Sequence, residues 1–572
     1  MIYAIDTETT GLQPYKKDKI LCTAVWSEAR QFVCDGVNDE VRTILGDPTN
    51  TVFMHNAKFD WRFFNQVGVT VNAKIICTMA LARLMKSDLH SLSLANLGAL
   101  IGHAKDDSVK KYLDKNKHYV MEIPTGKKQK RKNYDFSKVP REILHPYALQ
   151  DTKVTYELGL HEHKILEEIS NNTPPNLPNV KDVVINENKL TRVLFKMEHE
   201  GVKINHDYVE HQRRKEVFNY MTAVKKIENL TGVRPFSDSR FYYAPAFKKA
   251  GVPVPTTDKG NPTFAKSVLE PLKTPLSEAI LAYRKAYKRA NTYYQSYIDL
   301  VGNDGLIHCN FRQAGAYHGR MSCSDPNLQN VPKESVDAED LEDAALIRRC
   351  FIPKRDLFAM LDYDQMEYRL MLDYAREMEM IEQVKSGVDV HTAAAELMRV
   401  DRFTAKVINF MLLYGGGAGK LAETLGISLN DAKDLKRLFF AKLPNVKQFF
   451  NNATRTAETR GYIFNWLGRR VYIPKDKPYV AANSLIAGGC ADIMKVAMVR
   501  VDALLDDFES KMCLNVHDEI VLDMVRGEEN VLPLVRKIMV DAYPHKYLPM
   551  SVGIDVSYTS WSDKKPYEHD TA

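Results

Sequence analysis

Asp6 and Glu8 stand two residues apart where the apolar opening segment Ile2 to Ile5 gives way to polar residues. On an extended chain, residues two apart point to one side. Carboxylates crowded in this way repel each other unless cations neutralise them, and hard oxygen ligands suit magnesium or manganese. Asp60 follows Asn56 by four residues at the start of a predicted helix, and Asp151 follows Tyr147 by four. Residues four apart share a helix face, so the Tyr147 hydroxyl and the Asp151 carboxylate are expected to converge. D-x-E or N-x-x-x-D alone is a common surface pattern. The three segments in this order are far more specific.

A second acidic pair lies downstream. Phe358 to Leu361 reads as an apolar strand ending at Asp362, with a helix beginning soon after Tyr363-Asp364-Gln365. Met512 to Asp523 reads as two short apolar strands separated by polar residues around His517-Asp518, as in a tight hairpin. Side by side, the two segments bring Asp362 and Asp518 together as a candidate site for two divalent ions about 3.5–4 Å apart. Between them, Arg402, Lys406, Phe410 and Tyr414 recur every four residues. On a helix this spacing forms a slowly drifting stripe. Its two cations suit a triphosphate and its two aromatics a base and sugar. Gly415-Gly416-Gly417 is expected to end the helix as a hinge. Taken singly, Phe410 and Tyr414 read as core, Arg402 and Lys406 as a solvated face, and His391 as structural.

The elements that must position these groups fall into three stretches. Up to about residue 165, short strands (Ile2 to Ile5, Ile20 to Val25, Thr51 to Met54) alternate with helical patterns (Asp60 to Val67, Ser91 to Leu100), as in an α/β unit around a mixed sheet. The Pro- and Asn-rich run Asn171 to Asn179 reads as a linker. A mostly helical stretch rich in Lys, Arg and Tyr follows to about 300, and strands with long helices continue beyond it. At 572 residues the chain has room for about four domains or subdomains.

With 45% hydrophobic and 27% charged residues the composition is that of a globular protein, and a net charge of +6 permits a nucleic-acid partner without demanding one. The eight cysteines show no C-x-x-C pair, so they read as buried thiols of a reducing compartment. No signal peptide opens the sequence and no apolar run reaches membrane-spanning length, so a soluble, cytoplasmic protein is expected. The basic run Lys127 to Lys132 is either a solvated loop or a phosphate contact.

The first acid set resembles the DEDD exonuclease superfamily in its tyrosine variant. The segments around Asp362, Arg402–Gly415 and Asp518 resemble motifs A, B and C of family A DNA polymerases, in the right order. Gly315 to Pro332 and Tyr283-Arg284-Lys285-Ala286 also look like that family. The resemblance implies an α/β multidomain chain: an RNase H-like 3′→5′ exonuclease domain at 1–170, a linker at 171–182, a thumb with connecting helices at 183–300, and a right-hand palm and fingers at 301–572, the fingers at about 375–490.

It implies further that Asp6, Glu8, Asp60 and Asp151 hold two metal ions while Tyr147 orients the attacking water. Asp362, the Tyr363 carbonyl and Asp518 would hold two more, with Glu519 in support. Arg402, Lys406 and His391 would contact the triphosphate, Lys406 also acting as general acid. Phe410 would pack on the sugar, Tyr414 near the templating base, and Gln365 near the incoming nucleotide. Glu367 would be the steric gate against a ribose 2′-hydroxyl. Arg320, His517, Gln329 and Asn330 would meet DNA. The ions expected are Mg²⁺, with Mn²⁺ able to substitute. The expected partners are primer-template DNA and dNTPs, with a helicase, primase or single-strand binding protein as candidates beside a monomeric enzyme.

Two positions depart from the family pattern. Ala487 stands where many members carry glutamine, and Tyr479 where a basic residue is often found; both bear on template grip rather than chemistry. The compact layout looks like phage polymerases, and the family's 5′-nuclease domain is not expected. Two other readings stay open: a nucleic-acid-processing nuclease whose C-terminal half only binds, and a single-subunit RNA polymerase, against which Glu367 and the nuclease motifs argue.

Overall fold

The computed structural model describes residues 1–572 except 105, 123–129, 233, 235–239, 258–259, 333–337, 414–415 and 569–572. The N-terminal region is built on strands β1 (Ile2–Thr9), β2 (Ile20–Trp26), β3 (Gln31–Asp35), β4 (Thr51–Met54) and β5 (Lys74–Cys77), with helix α1 (Lys58–Gln66) joining the last two. Their order is β3-β2-β1-β4-β5. β1 is antiparallel to β2 and parallel to β4, so the sheet is mixed as expected.

Helix α2 (Arg141–Asn171) crosses this sheet. It packs Leu144 and Ala148 on Cys22 and Ala24, and Tyr156 and Leu166 on Phe53 and Ile76. Gly159 permits the close approach, since a Cβ there would lie 2.6 Å from the Phe53 ring. β1 is longer than the sequence pattern suggested. Asp6 and Glu8 lie within it, paired across to Ala24 and Cys22, rather than following it. The antiparallel neighbour supplies backbone partners that carry the strand past its apolar stretch.

The run read as a linker is short and pinned. Eight residues separate the end of α2 from helix α3 (Val180–Glu200). Asn179 caps it by accepting from the Lys181 N–H at 2.9 Å, and also bonds Ser170 at the end of α2. A Cβ on Gly468, whose φ is +103°, would collide with the Asn179 backbone, so a distant hairpin closes against the same point. Helices α4 (His206–Thr231) and α5 (Pro275–Tyr287) then pack on each other around Ile227, Tyr243, Phe247 and Ile280.

The C-terminal region carries strand β6 (Asn310–Arg312) and a second sheet. That sheet contains β7 (Leu357–Tyr363), β8 (Lys511–Val516), β9 (Glu519–Met524), β10 (Val552–Ser557) and β11 (Lys565–Pro566), in the order β8-β9-β7-β10-β11, all antiparallel. Five helices matter for the site: α6 (Met366–Ala375), α7 (Val390–Met398), α8 (Arg402–Leu413), α9 (Pro444–Arg460) and α10 (Ala481–Leu504). One continuous core joins β7, β8 and β9 to α6, α7, α8 and α10 through residues such as Phe358, Leu370, Ala394, Ile408, Ile493 and Val521. All eight cysteines are free, and only Cys34 is not buried. Among the described residues no helix is long and apolar enough to cross a membrane.

Candidate active sites

The N-terminal acids converge. Asp6 and Glu8 project from the same side of β1. Asp60, fully buried on α1, accepts from the Thr7 N–H at 3.0 Å and the Thr7 hydroxyl at 2.6 Å. Tyr147 and Asp151 share one face of α2, within hydrogen-bonding reach of each other. Burial pushes the Asp6 carboxyl well above the usual range, and the like charges of Asp60, Glu8 and Asp151 push it further. Burial likewise raises Glu8, together with the charges of Asp151 and Asp60. Burial raises Asp60 despite its Thr7 hydrogen bonds, and raises Asp151 to about 6 against the Tyr147 hydrogen bond.

These acids lie within electrostatic reach of one another. Among the described residues, however, no three His, Cys, Asp or Glu close into a ready ligand cage. Four oxygen acids sharing one buried locale are nonetheless a donor set that fits hard divalent cations.

The C-terminal acids are brought together by strand register. Asp362 pairs with Glu519 across β7 and β9, and the Tyr363 N–H donates to the Asp518 carbonyl at 3.1 Å. The β8–β9 connection is the two-residue turn expected, His517-Asp518, with His517 in the left-handed region at φ 58°. Gln365, which turns β7 into α6, is also left-handed at φ 50°. Backbone held in this region by non-glycine residues at a cavity rim is strain maintained by its surroundings.

A cavity of about 410 Å³ opens here, lined among others by Arg320, Gln329, Gln365, Glu367, His391, Phe410, His517 and Asp518. Glu367 and Arg320 form an ion pair across it. Arg369 does not take part in this pair and donates instead to the carbonyls of Asp364 and Pro549, both at 3.1 Å. Asp389 caps α7 and also accepts from Gln365 at 2.6 Å and Arg402 at 3.1 Å, tying the start of α8 to the palm turn. Burial lowers the pKa of His391, whose ring lies 5.5 Å from that of Phe410.

Lys406 is half-buried and makes no hydrogen bond or ion pair among the described residues. Asp362, Tyr363, Glu519, Arg402, Lys406 and Asn330 are not among the residues that line the cavity, and Asn330 is exposed. Gln329 is buried and donates to Asn515 at 3.2 Å. Tyr414 and Gly415 lie outside the described residues, as do 127–129 of the basic run; Lys132 of that run pairs with Asp114 at 2.5 Å. Ala487 is buried and Tyr479 exposed.

The sequence reading missed Asp389, Tyr368, Asn515, Cys490, Ala491 and Met494, all but Asp389 on the cavity wall. The one signal available was Asp389 itself, an N-cap residue two positions before His391.

The family model for DNA polymerase family A matches residues 225–563, more than half of the chain. The chain belongs to DNA polymerase family A. A 3′-5′ exonuclease model matches residues 3–168 of this family A chain, the region that holds the first acid set. DNA polymerase I of Lactococcus lactis subsp. lactis is 32% identical over 455 residues, covering 73% of this chain and 50% of its own length. DNA polymerase I of Chloroflexus aurantiacus is 28% identical over 610 residues, covering 99% and 61%. The chain therefore spans half to about three-fifths of the length of these relatives. In fold it is similar to the POL domain of Pol1 from M. smegmatis, solved in complex with DNA primer-template and dNTP, with a TM-score of 0.80 at 24% identity over 98% of this chain and 95% of that one. Polymerases and exonucleases of these families depend on divalent metal ions.

Proposed function

We propose that this chain extends a DNA primer along a template and edits it with a 3′→5′ exonuclease. The observation that carries the reading is the palm register. It sets Asp362 opposite Glu519 and bonds Tyr363 to Asp518, which lines the cavity. Mg²⁺, or Mn²⁺ in its place, would be held by Asp362, Asp518 and the Tyr363 carbonyl, and in the second site by Asp6, Glu8, Asp60 and Asp151. Once bound, such ions supply Lewis-acid stabilisation for in-line displacement at phosphorus.

The chain's own groups do the rest. Phe410 offers an exposed ring to the sugar, and Glu367, fixed by Arg320, fills the space beside it that a 2′-hydroxyl would need. Arg402 and Lys406 on α8, with His391, meet the triphosphate, and Lys406 passes a proton to the leaving pyrophosphate. For this Arg402 must exchange Asp389 for the incoming phosphates. Tyr414 lies near the templating base, and Gln365 near the incoming nucleotide. Arg320, His517, Gln329 and Asn330 face the primer-template. In the editing site the Tyr147 hydroxyl, beside Asp151, orients the attacking water. A terminus that unpairs easily reaches this site more often. The enzyme is proposed to work as a cytoplasmic monomer beside a helicase, primase or single-strand binding protein.

The test is one labelled primer-template with and without dNTPs. Asp362→Ala should abolish extension and spare degradation, and Asp6→Ala should do the reverse. A primer that is only ever shortened, whatever the dNTP supply, would instead favour a nuclease with a non-catalytic C-terminal half.

A further inference from the structure

Helix α3 carries two buried carboxylates, Glu187 and Glu198, eleven residues apart. Eleven residues are about three turns, so both project from nearly the same face, about 16 Å apart. Each ends in a different region of the molecule.

Glu198 reaches the N-terminal region. Its Oε1 accepts from Lys58 Nζ at 2.5 Å and from the Phe311 N–H at 2.6 Å, and its Oε2 pairs with Arg62. Lys58 also donates to the Phe311 carbonyl at 2.5 Å. Trp61 stacks on Phe195 of α3 at 4.4 Å. Glu187 reaches the palm. It pairs with Arg469 and with Lys495 at 2.6 Å, and Arg469 also bonds Asp492. Asp492 and Lys495 belong to α10, whose Cys490, Ala491 and Met494 line the cavity.

The placement of Lys58 and Arg62 gives this arrangement its meaning. They sit at i−2 and i+2 from Asp60 on α1, hence on one face together, with Asp60 on the opposite face. Thr7 of β1 holds Asp60 from one side, and Glu198 holds Lys58 and Arg62 from the other. The helix bearing one of the editing-site acids is therefore clamped between its own sheet and a charge supplied by the polymerase portion. We infer that Glu198 is a positioning residue for the 3′→5′ exonuclease site, setting Asp60 against Asp6, Glu8 and Asp151, while Glu187 does the equivalent for the polymerase cavity through α10. The inference rests on the functional reading above.

Full-length Glu198→Gln and Glu187→Gln proteins test it, each assayed for single-strand degradation, primer extension, magnesium requirement and melting temperature. Glu198→Gln should slow degradation and raise the Mg²⁺ concentration for half-maximal degradation by about tenfold, with extension unchanged. Glu187→Gln should weaken extension and leave the magnesium requirement of degradation unchanged. A purely structural role predicts that each substitution lowers both activities in step with the melting temperature, and that result overturns the inference. So does degradation by Glu198→Gln at the wild-type magnesium requirement. If Glu198→Gln melts below the assay temperature, Arg62→Lys carries the same test: it keeps the charge but loses the paired N–H donors, and an unchanged magnesium requirement in it is equally fatal. Loss of degradation in Asp6→Ala upholds the functional reading separately, so failure of one idea is distinguishable from failure of the other.

Discussion

Two groups of carboxylates in this chain, one half-buried apart from Asp60 and the other fully buried, are treated in opposite ways. Asp6, Glu8, Asp60 and Asp151 face one another, and the charges acting on Asp6 are all of its own sign. Glu187 and Glu198 on α3 each meet two basic side chains. The second arrangement is complete within the protein and holds helices together. The first is electrostatically unfavourable unless something positive joins it, which is what a cation-binding cluster requires. Burial by itself says nothing about function; the sign of the neighbours does.

The comparison can be broken most forcefully at Arg469. Arg469→Met leaves Glu187 and Asp492 buried with less compensating charge, and should lower unfolding free energy by about 3–5 kcal/mol in urea titrations. A loss below about 1 kcal/mol, the range of exposed ion pairs, would mean that water already reaches the cluster. Glu187 gives the next effect. Burial alone would raise its pKa, but Lys495 and Arg469 outweigh that and hold it at about 2. A carboxyl depressed in the folded chain stabilises above its ordinary value of 4.5 and loses that stabilisation as pH falls towards 2. That stabilisation is about 3 kcal/mol, so Glu187→Gln should flatten the acid limb of the stability curve between these values.

Asp6 should behave in the opposite sense. Its raised pKa means that the folded chain retains a proton the unfolded chain has released, so stability falls as pH climbs from 3.8 through the raised value. Asp6→Asn should therefore abolish degradation yet stabilise the metal-free protein at pH ~8. The gain should vanish near pH ~4 and shrink when Mg²⁺ is added to the wild type. A destabilised Asp6→Asn in chelator would remove the contrast between the two acid groups. The smallest effect belongs to the solvent-exposed pair of Lys132 with Asp114, where Lys132→Ala should leave the melting temperature unchanged in a thermal scan.

Both acid clusters are legible in the sequence because their spacings repeat at short range. D-x-E, the four-residue spacings and the Asp362 and Asp518 strand ends are local patterns, and local patterns translate into faces and turns. Even so, the boundary of β1 was misread, because what extends it past Ile5 is pairing with β2, a contact no local window contains. The clusters on α3 were invisible for the same reason at longer range. Lys58 and Glu198 are 140 residues apart, and Arg469 and Glu187 are 282 apart. A lone Glu in an amphipathic helix reads as solvated, and only the folded chain reveals what it faces. Glu367 shows the intermediate case: its type and place were readable, its partner Arg320 was not.

The central strand of the palm sheet is hydrogen-bonded along both edges, to β9 and to β10. Because successive side chains alternate between faces, adding or deleting one residue between Leu357 and Leu361 would rotate Asp362 to the wrong side while leaving the backbone ladder able to form. The result would be a well-folded but inert protein. Length variation among functional descendants of this chain should therefore collect in its loops and never in that strand.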